Sequence, residues 1–581
     1  MAGFVSVVTK GGNPMVLMLM TCMMLAPVLS TTTAPTTAPT APTVAPTSSP
    51  THDAPTSIFV WVAIGSGATL LMSWLFAYCF IKRYTDPTDS SSLVTVVGTL
   101  GISIMLFCVL IIPIDIYAVS YNLDQKTGVH LSTDMVKQAE DFLQICYYGL
   151  YCALMFFAFL LFPFAYFYFE EDSDEEAKSS RCCAALKYTT GFFVIFVVLI
   201  VLGAVIKIHG LNVAISDLPQ DLSKNKAEQI LYFTLGVLTM LGMTFWASYG
   251  SYGMAALPIN MLRSAQIRGN CCCRNSGGMG GYSHALQANQ ENQRFLTARY
   301  DDASVTKWSK PDRLEYGKLK REERELKRQQ EGGGSEESSG MLDRCWNFCA
   351  PCRMGLSLIC FCLSLLVVVS MLLASLDRLL NSPCGIKCAY TLQDGPKLFH
   401  PIDKTLTALH KIFPLLDFIL FGVIALYIFL ASIAGLVSLG VRMCMWQLYS
   451  IKTRKSMAHA LLMGAWMLMF VALVINFQVL TLAPQYAAFG TQFYVNKTTQ
   501  KNTPCSFQVN VTEDTCTPTQ VARFVTTLNY QLPFFGTVLL FANLVFCGAY
   551  LLFGICALIR ARKPYEAVTP DRDALLWSDI E

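Results

Sequence analysis

The chain has 581 residues, of which 53% are hydrophobic and 14% charged, and 43 Lys+Arg stand against 40 Asp+Glu for a formal charge of +3. Soluble globular chains carry roughly 25% charged residues, so this composition excludes an ordinary soluble domain. The near balance of charge excludes wholesale nucleic-acid binding.

The N-terminal segment is a targeting signal by its pattern. Lys10 precedes an apolar, Met-rich run from Met15 to Leu29, and Val28 and Ser30 give the small-residue spacing of a signal-peptidase site. Residues 1–30 therefore read as a signal peptide; an uncleaved anchor is the alternative, for which the run is short. Residues 31–57 form a Thr/Ala/Pro repeat with no apolar face to bury, which suits a disordered, O-glycosylated lumenal stalk.

Apolar blocks of transmembrane length follow, so the fold class is all-α: a polytopic membrane protein with about nine transmembrane helices, a lumenal N-terminus and a cytosolic C-terminus. The spans read Ile58 to Ile81, Leu93 to Ala118, Ile145 to Phe169, Tyr188 to Ile206, Ile230 to Leu257, Gly355 to Leu376, Phe413 to Val441, Ala460 to Leu482 and Pro533 to Ile559. Helices one to five occupy 58–259, a cytosolic loop fills 260–354, and helices six to nine occupy 355–559 with a lumenal loop at 483–532. Basic clusters at Lys82-Arg83, at Arg442 with Lys452, Arg454 and Lys455, and at Arg560, Arg562 and Lys563 agree with this orientation. The loop after span six, with Arg378, Lys387, Lys397, Lys404 and Lys411, does not.

Two chemical markers support the orientation. The sequons at Asn496 and Asn510 both fall in the 483–532 loop. Cys384 and Cys388 lie in one expected lumenal loop, and Cys505 and Cys516 in the glycosylated one; four cysteines allow three pairings, of which bridges within each loop are the simplest. The juxtamembrane cysteines Cys182-Cys183, Cys271 to Cys273, and Cys345, Cys349 and Cys352 suit palmitoylation, with a zinc site as the alternative for the last set.

The cytosolic loop contains a charged helix at Pro311 to Glu331, read either as a solvated or membrane-surface arm or as a docking site for a partner. The tail, 560–581, carries a tyrosine signal at Tyr565 to Val568 and an acidic dileucine signal at Asp571, Leu575 and Leu576, both suited to clathrin-adaptor complexes. The sequence holds no phosphate loop, H-E-x-x-H or G-x-S-x-G, so it offers no motif for ATP hydrolysis, zinc proteolysis or esterase chemistry; no catalytic cofactor is expected, and no metal beyond the zinc alternative just given.

Ionisable groups inside spans are functional candidates, because burying charge in hydrocarbon is costly. Asp115, late in span two after Pro113, and Asp417, early in span seven after Pro414, are the two that qualify. Either they line a polar cavity opened by the nearby prolines, or they sit hydrated at the interface. Facing an acidic lumen while partly desolvated, they would sense pH. The stretch from Ser248 to Pro258 is rich in small residues and reads as a close helix contact, with a ligand cleft as the alternative.

The motifs PIDIYAVSY from Pro113, FPFAYFYFEED from Phe162, ALKYTTGF from Ala185, SYGMAALPINML from Ser251 and LAPQYAAFGTQFY from Leu482, in that order, resemble the limb-region family of multispanning membrane proteins. The resemblance extends over residues 58 to 563. It implies a nine-span lysosomal membrane glycoprotein that supports export of cobalamin to the cytosol, as escort of an ABC transporter or as part of the route. Lipocalin-interacting relatives give the alternative of a receptor or endocytic adaptor at the endosomal or plasma membrane. The resemblance supplies no set of cobalamin-contacting residues, which leaves Asp115 and Asp417 as the candidates.

Overall fold

The computed structural model describes residues 56–85, 92–121, 133–170, 178–208, 226–272, 350–381, 397–413, 415–443, 446–451, 456–495, 502–505, 516–531 and 533–562, with isolated positions 289, 291, 293, 294, 297, 319 and 323. Among the described residues nine helical segments are long and apolar enough to cross a membrane. In chain order the helices are α1 (Thr56–Tyr84), α2 (Ser92–Ser120), α3 (Thr133–Phe156), α4 (Phe162–Glu170), α5 (Lys178–Ile208), α6 (Lys226–Phe245), α7 (Ser251–Cys272), α8 (Ala350–Asn381), α9 (Pro401–Ile412), α10 (Leu416–Leu439), α11 (Ala458–Leu482), α12 (Pro484–Phe489), α13 (Gln520–Gln531) and α14 (Pro533–Arg562). Two antiparallel hairpins complete the list, β1 (Val441–Met443) with β2 (Trp446–Tyr449), and β3 (Phe493–Val495) with β4 (Asn502–Pro504).

These spans are apolar on every side, so hydropathy alone does not say which of them is central; in lipid, both environments are apolar. The structure answers by burial. The spans of α2, α10 and α11 are the most enclosed, whereas those of α1, α5 and α14 present most of their surface outward. Hydroxyl groups in the spans return to their own backbone four residues earlier: Ser66 donates to the Val62 carbonyl, Thr189 to Ala185 and Thr239 to Leu235. That satisfies them without any partner helix.

One crossing depends on two glycines. A Cβ on Gly253 would run into the Ala431 carbonyl, and one on Gly435 into the Tyr249 carbonyl, so α7 and α10 meet backbone to backbone. This is the close contact expected from the small residues at 248–258. Along the α7–α8 seam, Ser357 donates to the Pro258 carbonyl at 2.6 Å and Ser364 to that of Met254 at 2.9 Å.

Spans three and five each contain one π-helical turn, at Phe157–Leu161 and Trp246–Gly250. A wider turn displaces backbone carbonyls from their regular partners. In the first, the Ala158 carbonyl accepts the Trp466 indole N–H at 3.0 Å. In the second, Trp246 stacks on Phe546 with centroids 3.9 Å apart.

Expected boundaries are corrected at span three, which begins at Gln138 instead of Ile145, and at spans four and seven. Span seven does not start at Phe413, because α9 ends there and α10 begins at Leu416. Phe413 precedes a proline and is extended, with φ −141° and ψ 108°, as steric clash with the proline ring requires. The fourth span also begins earlier than expected, at Cys182. The expected signal peptide, almost all of the stalk, Cys384 and Cys388, the sequons at Asn496 and Asn510, Cys345 and Cys349, nearly all of the charged cytosolic helix, and the signals at Tyr565, Val568, Asp571, Leu575 and Leu576 lie outside the described residues.

Candidate functional site

The C-terminal end of α2, the start of α10, and the short helices α9, α12 and α13 gather at one end of the bundle. Short helices leave backbone N–H groups unpaired at their starts. Here carboxylates from other parts of the chain accept them. Asp115, fully buried, accepts the Gln520 N–H at 3.3 Å and the Val521 N–H at 3.1 Å, at the start of α13. The same helix is capped locally by Thr519, whose hydroxyl accepts the Ala522 N–H at 3.2 Å. Asp403, on α9, accepts the Tyr486 N–H at 2.9 Å and that of Gln485 at 3.4 Å, at the start of α12.

Asp417, also fully buried, accepts the Tyr486 hydroxyl at 2.8 Å, and His410 Nδ1 lies 3.1 Å from the same oxygen. Tyr486 thereby joins two carboxylates, Asp403 through its backbone and Asp417 through its ring. Burial raises the Tyr486 hydroxyl well above its ordinary value, and the adjacent Asp417 acts in the same sense, so it remains a donor. Aromatic rings surround this point. Phe418 meets Tyr117 edge-on at 5.5 Å, and Phe421 lies 5.6 Å from Tyr486.

A third tie closes the end of α8. Asp377, buried, accepts the Asn381 amide at 2.6 Å and the backbone N–H groups of Lys397 and Leu398, each at 3.2 Å, with His400 Nε2 at 3.5 Å. Burial lowers the His400 pKa, Asp377 opposes the shift, and Arg378 adds to it. Arg378 itself reaches Thr481 of α11 at 3.3 Å.

The segments so held are tied to one another as well. The Thr519 N–H and hydroxyl donate to the carbonyls of Ala488 and Ala487, at 2.8 and 2.7 Å. Gly490, with φ +58°, ends α12 in the left-handed region, and the turn brings the Thr491 N–H to the Ser120 hydroxyl at 3.1 Å. A disulfide joins Cys505 to Cys516 and packs with Ala488, Phe489 and Ala522.

Asp115 and Asp417 thus share one end of the bundle without touching, and both are fully buried. Sequence reasoning did not single out Asp377, Asp403, His410 or Tyr486. Asp377 stands one residue past the expected end of span six, although α8 runs to Asn381. A signal for Asp403 was present: Pro401 at a helix start, with Ile402 and Leu406 on one face, marks an amphipathic helix that buries Asp403 between them. Among the described residues no group of three or more His, Cys, Asp or Glu is placed to hold a metal ion. The chemistry this end offers is capping and proton exchange.

A family model described as LMBR1-like membrane protein matches residues 63–332 of the chain. A probable lysosomal cobalamin transporter of Nematostella vectensis is 29% identical over 526 residues, covering 85% of this chain and 93% of the relative. One from Aspergillus clavatus is 30% identical over 538 residues, covering 87% and 93%, and one from Emericella nidulans is 29% identical over 533 residues, covering 87% and 91%. No solved structure matches the chain at a significant level.

Asp403 gives the fold an acid dependence of definite sign. Burial pushes its carboxyl up to about 7 from an ordinary 3.8, against the opposing effects of the Tyr486 and Gln485 amides and Lys404. The folded chain holds the extra proton between those values, so this contribution is full below about 3.8 and is lost as pH rises through about 7. His400, with its lowered pKa, acts in the opposite direction, which makes a paired comparison necessary. Asp403→Asn keeps an acceptor for the Tyr486 N–H and cannot ionise. Its melting temperature should exceed that of the wild type near neutral pH and converge with it in acid; a difference independent of pH would show that Asp403 does not titrate in this range.

Proposed function

The chain belongs to the LMBR1-like family of membrane proteins, and from that premise we propose that it supports the export of cobalamin from the lysosomal lumen to the cytosol. The observation that carries this reading is the alignment of most of the chain with relatives named as probable lysosomal cobalamin transporters. The finer role is that of an escort for an ABC transporter. The sequence has no phosphate loop of its own, which is consistent with a partner ATPase supplying the energy for uphill movement. The tail signals at Tyr565 to Val568 and at Asp571 to Leu576 then deliver the protein to lysosomes through clathrin adaptors.

The end built on Asp115, Asp403 and Asp417 faces the lumen in this reading. Its Cys505–Cys516 disulfide favours an oxidising compartment, and the sequons at Asn496 and Asn510 lie in the same loop. Asp115 and Asp417 are already committed to groups of the chain itself. That favours a role in shaping the lumenal end over direct contact with cobalamin.

Labelled cobalamin in cells with and without the protein tests the function. Loss should trap the label in lysosomes and deplete the cytosol. An unchanged distribution together with lost uptake of an extracellular ligand at the cell surface would move the function to that of a receptor. Orientation has its own test: glycosidase treatment should shift the wild-type band and leave the Asn496→Gln, Asn510→Gln double variant unmoved. A wild-type band that resists the enzyme would place this loop in the cytosol.

A further inference from the structure

The seam between α2, α3 and α11 contains hydrogen-bonding groups that the described residues do not pair. Asp115 and Cys108 are seven residues apart on α2, so they share a face and stand about 10 Å apart along the axis. Tyr147 and Tyr151, four apart on α3, also share a face and are buried. The Tyr147 hydroxyl lies against the Asp115 carboxylate without closing a bond of good geometry. Tyr151, one turn deeper, is within electrostatic reach of both Asp115 and Cys108. From α11, the Asn476 amide donates to Cys108 Sγ at 2.9 Å.

Two oxygens on this seam, Tyr151 Oη and Asn476 Oδ1, find no hydrogen-bond partner among the described residues, and Tyr147 Oη has only the Asp115 carboxylate beside it. Inside a span they have no bulk solvent to turn to, and an unpaired buried polar atom bears its full desolvation penalty. The groups extend along the helix axis from Asp115 toward Cys108 instead of converging on a point, which suits no single cation. An occupant that both donates and accepts at successive positions does fit them, and that occupant is water.

We propose that the α2–α3–α11 seam holds a short file of ordered waters, with Asp115 at its mouth as the group that exchanges protons. Among the described residues, the polar and charged groups facing Asp115 are few. On α13 they are the Gln520 and Val521 amides and Arg523, the last standing 4.0 Å from Glu140 of α3 at the partly exposed edge. On α3 they are Tyr147 and Tyr151, and on α2 Cys108. Tyr232 of α6 lies beyond Tyr151. The proposal rests on the lumenal orientation given above only for the side from which protons arrive.

X-ray radiolytic footprinting of the full chain in phosphatidylcholine nanodiscs tests the water file, because hydroxyl radicals formed from bound water label the side chains beside it. Tyr147, Tyr151 and Cys108 should be modified several-fold faster than Tyr427, which is as deeply buried but bonds to Ser364 at 2.5 Å and to the Cys360 carbonyl at 3.0 Å. Rates equal to that of Tyr427 would mean a dry seam and overturn the proposal. Infrared difference spectra across the acidic to neutral range test the proton exchange. A carboxyl band should be present in the wild type, absent in Asp115→Asn and shifted in Tyr151→Phe, which removes one hydroxyl and keeps the ring. If Asp115→Asn fails to fold, the shift in Tyr151→Phe decides alone; a band that ignores this change overturns the role of the file. Both readouts are independent of cobalamin, so they stand or fall apart from the transport reading.

Discussion

Backbone amides at the starts of α12 and α13 are accepted by carboxylates from distant parts of the chain, and the arrangement of this end of the bundle depends on that pairing. A short helix packed against a membrane-embedded bundle cannot leave its first N–H groups unpaired once they are buried. Asp115 and Asp403 answer that need in trans. Each loses hydration on burial, and each recovers part of the loss by accepting two N–H groups. The pairing is mutual: an acid that would be costly alone and a helix start that would be costly alone become tolerable together. Removing either acceptor leaves buried donors exposed to a penalty of about 1–3 kcal/mol each.

The long helices at the middle of the molecule were legible because their cause is local. Twenty or so apolar residues fix a span whatever the neighbours do, so the order and number of spans could be read from the chain. The Gly253 crossing was legible for a related reason, since small residues have few other uses inside a span. Span boundaries were less so. Leu416 replaces Phe413 at the start of α10 because a proline effect at one residue outweighs the hydropathy of its surroundings.

The end of the bundle was much less legible. Asp115 and Asp417 stood out because they lie inside apolar runs, yet what they bond to lies hundreds of residues away in one case and on a neighbouring short helix in the other. Asp377 and Asp403 sit in stretches that read as loop, where a carboxylate is unremarked. No periodicity announces that residues 484–489 fold into a helix, or that one tyrosine of it joins Asp403 of α9 to Asp417. These pairings arise from tertiary structure, and only the amphipathic face of α9 hinted at them. In the proposed orientation they also put the acid-sensitive groups on the side where a lysosomal lumen would supply protons.

Hydrogen–deuterium exchange of the intact protein, read at the amides of Tyr486, Gln520 and Val521, tests the pairing of carboxylates with helix starts most directly. Slow exchange at all three is expected in the wild type. Asp403→Ala should speed exchange at Tyr486 and Gln485 and leave α13 protected, and Asp115→Ala should do the converse at Gln520 and Val521, with the spans unchanged in both. Protection at these amides that survives loss of the carboxylates would contradict the account.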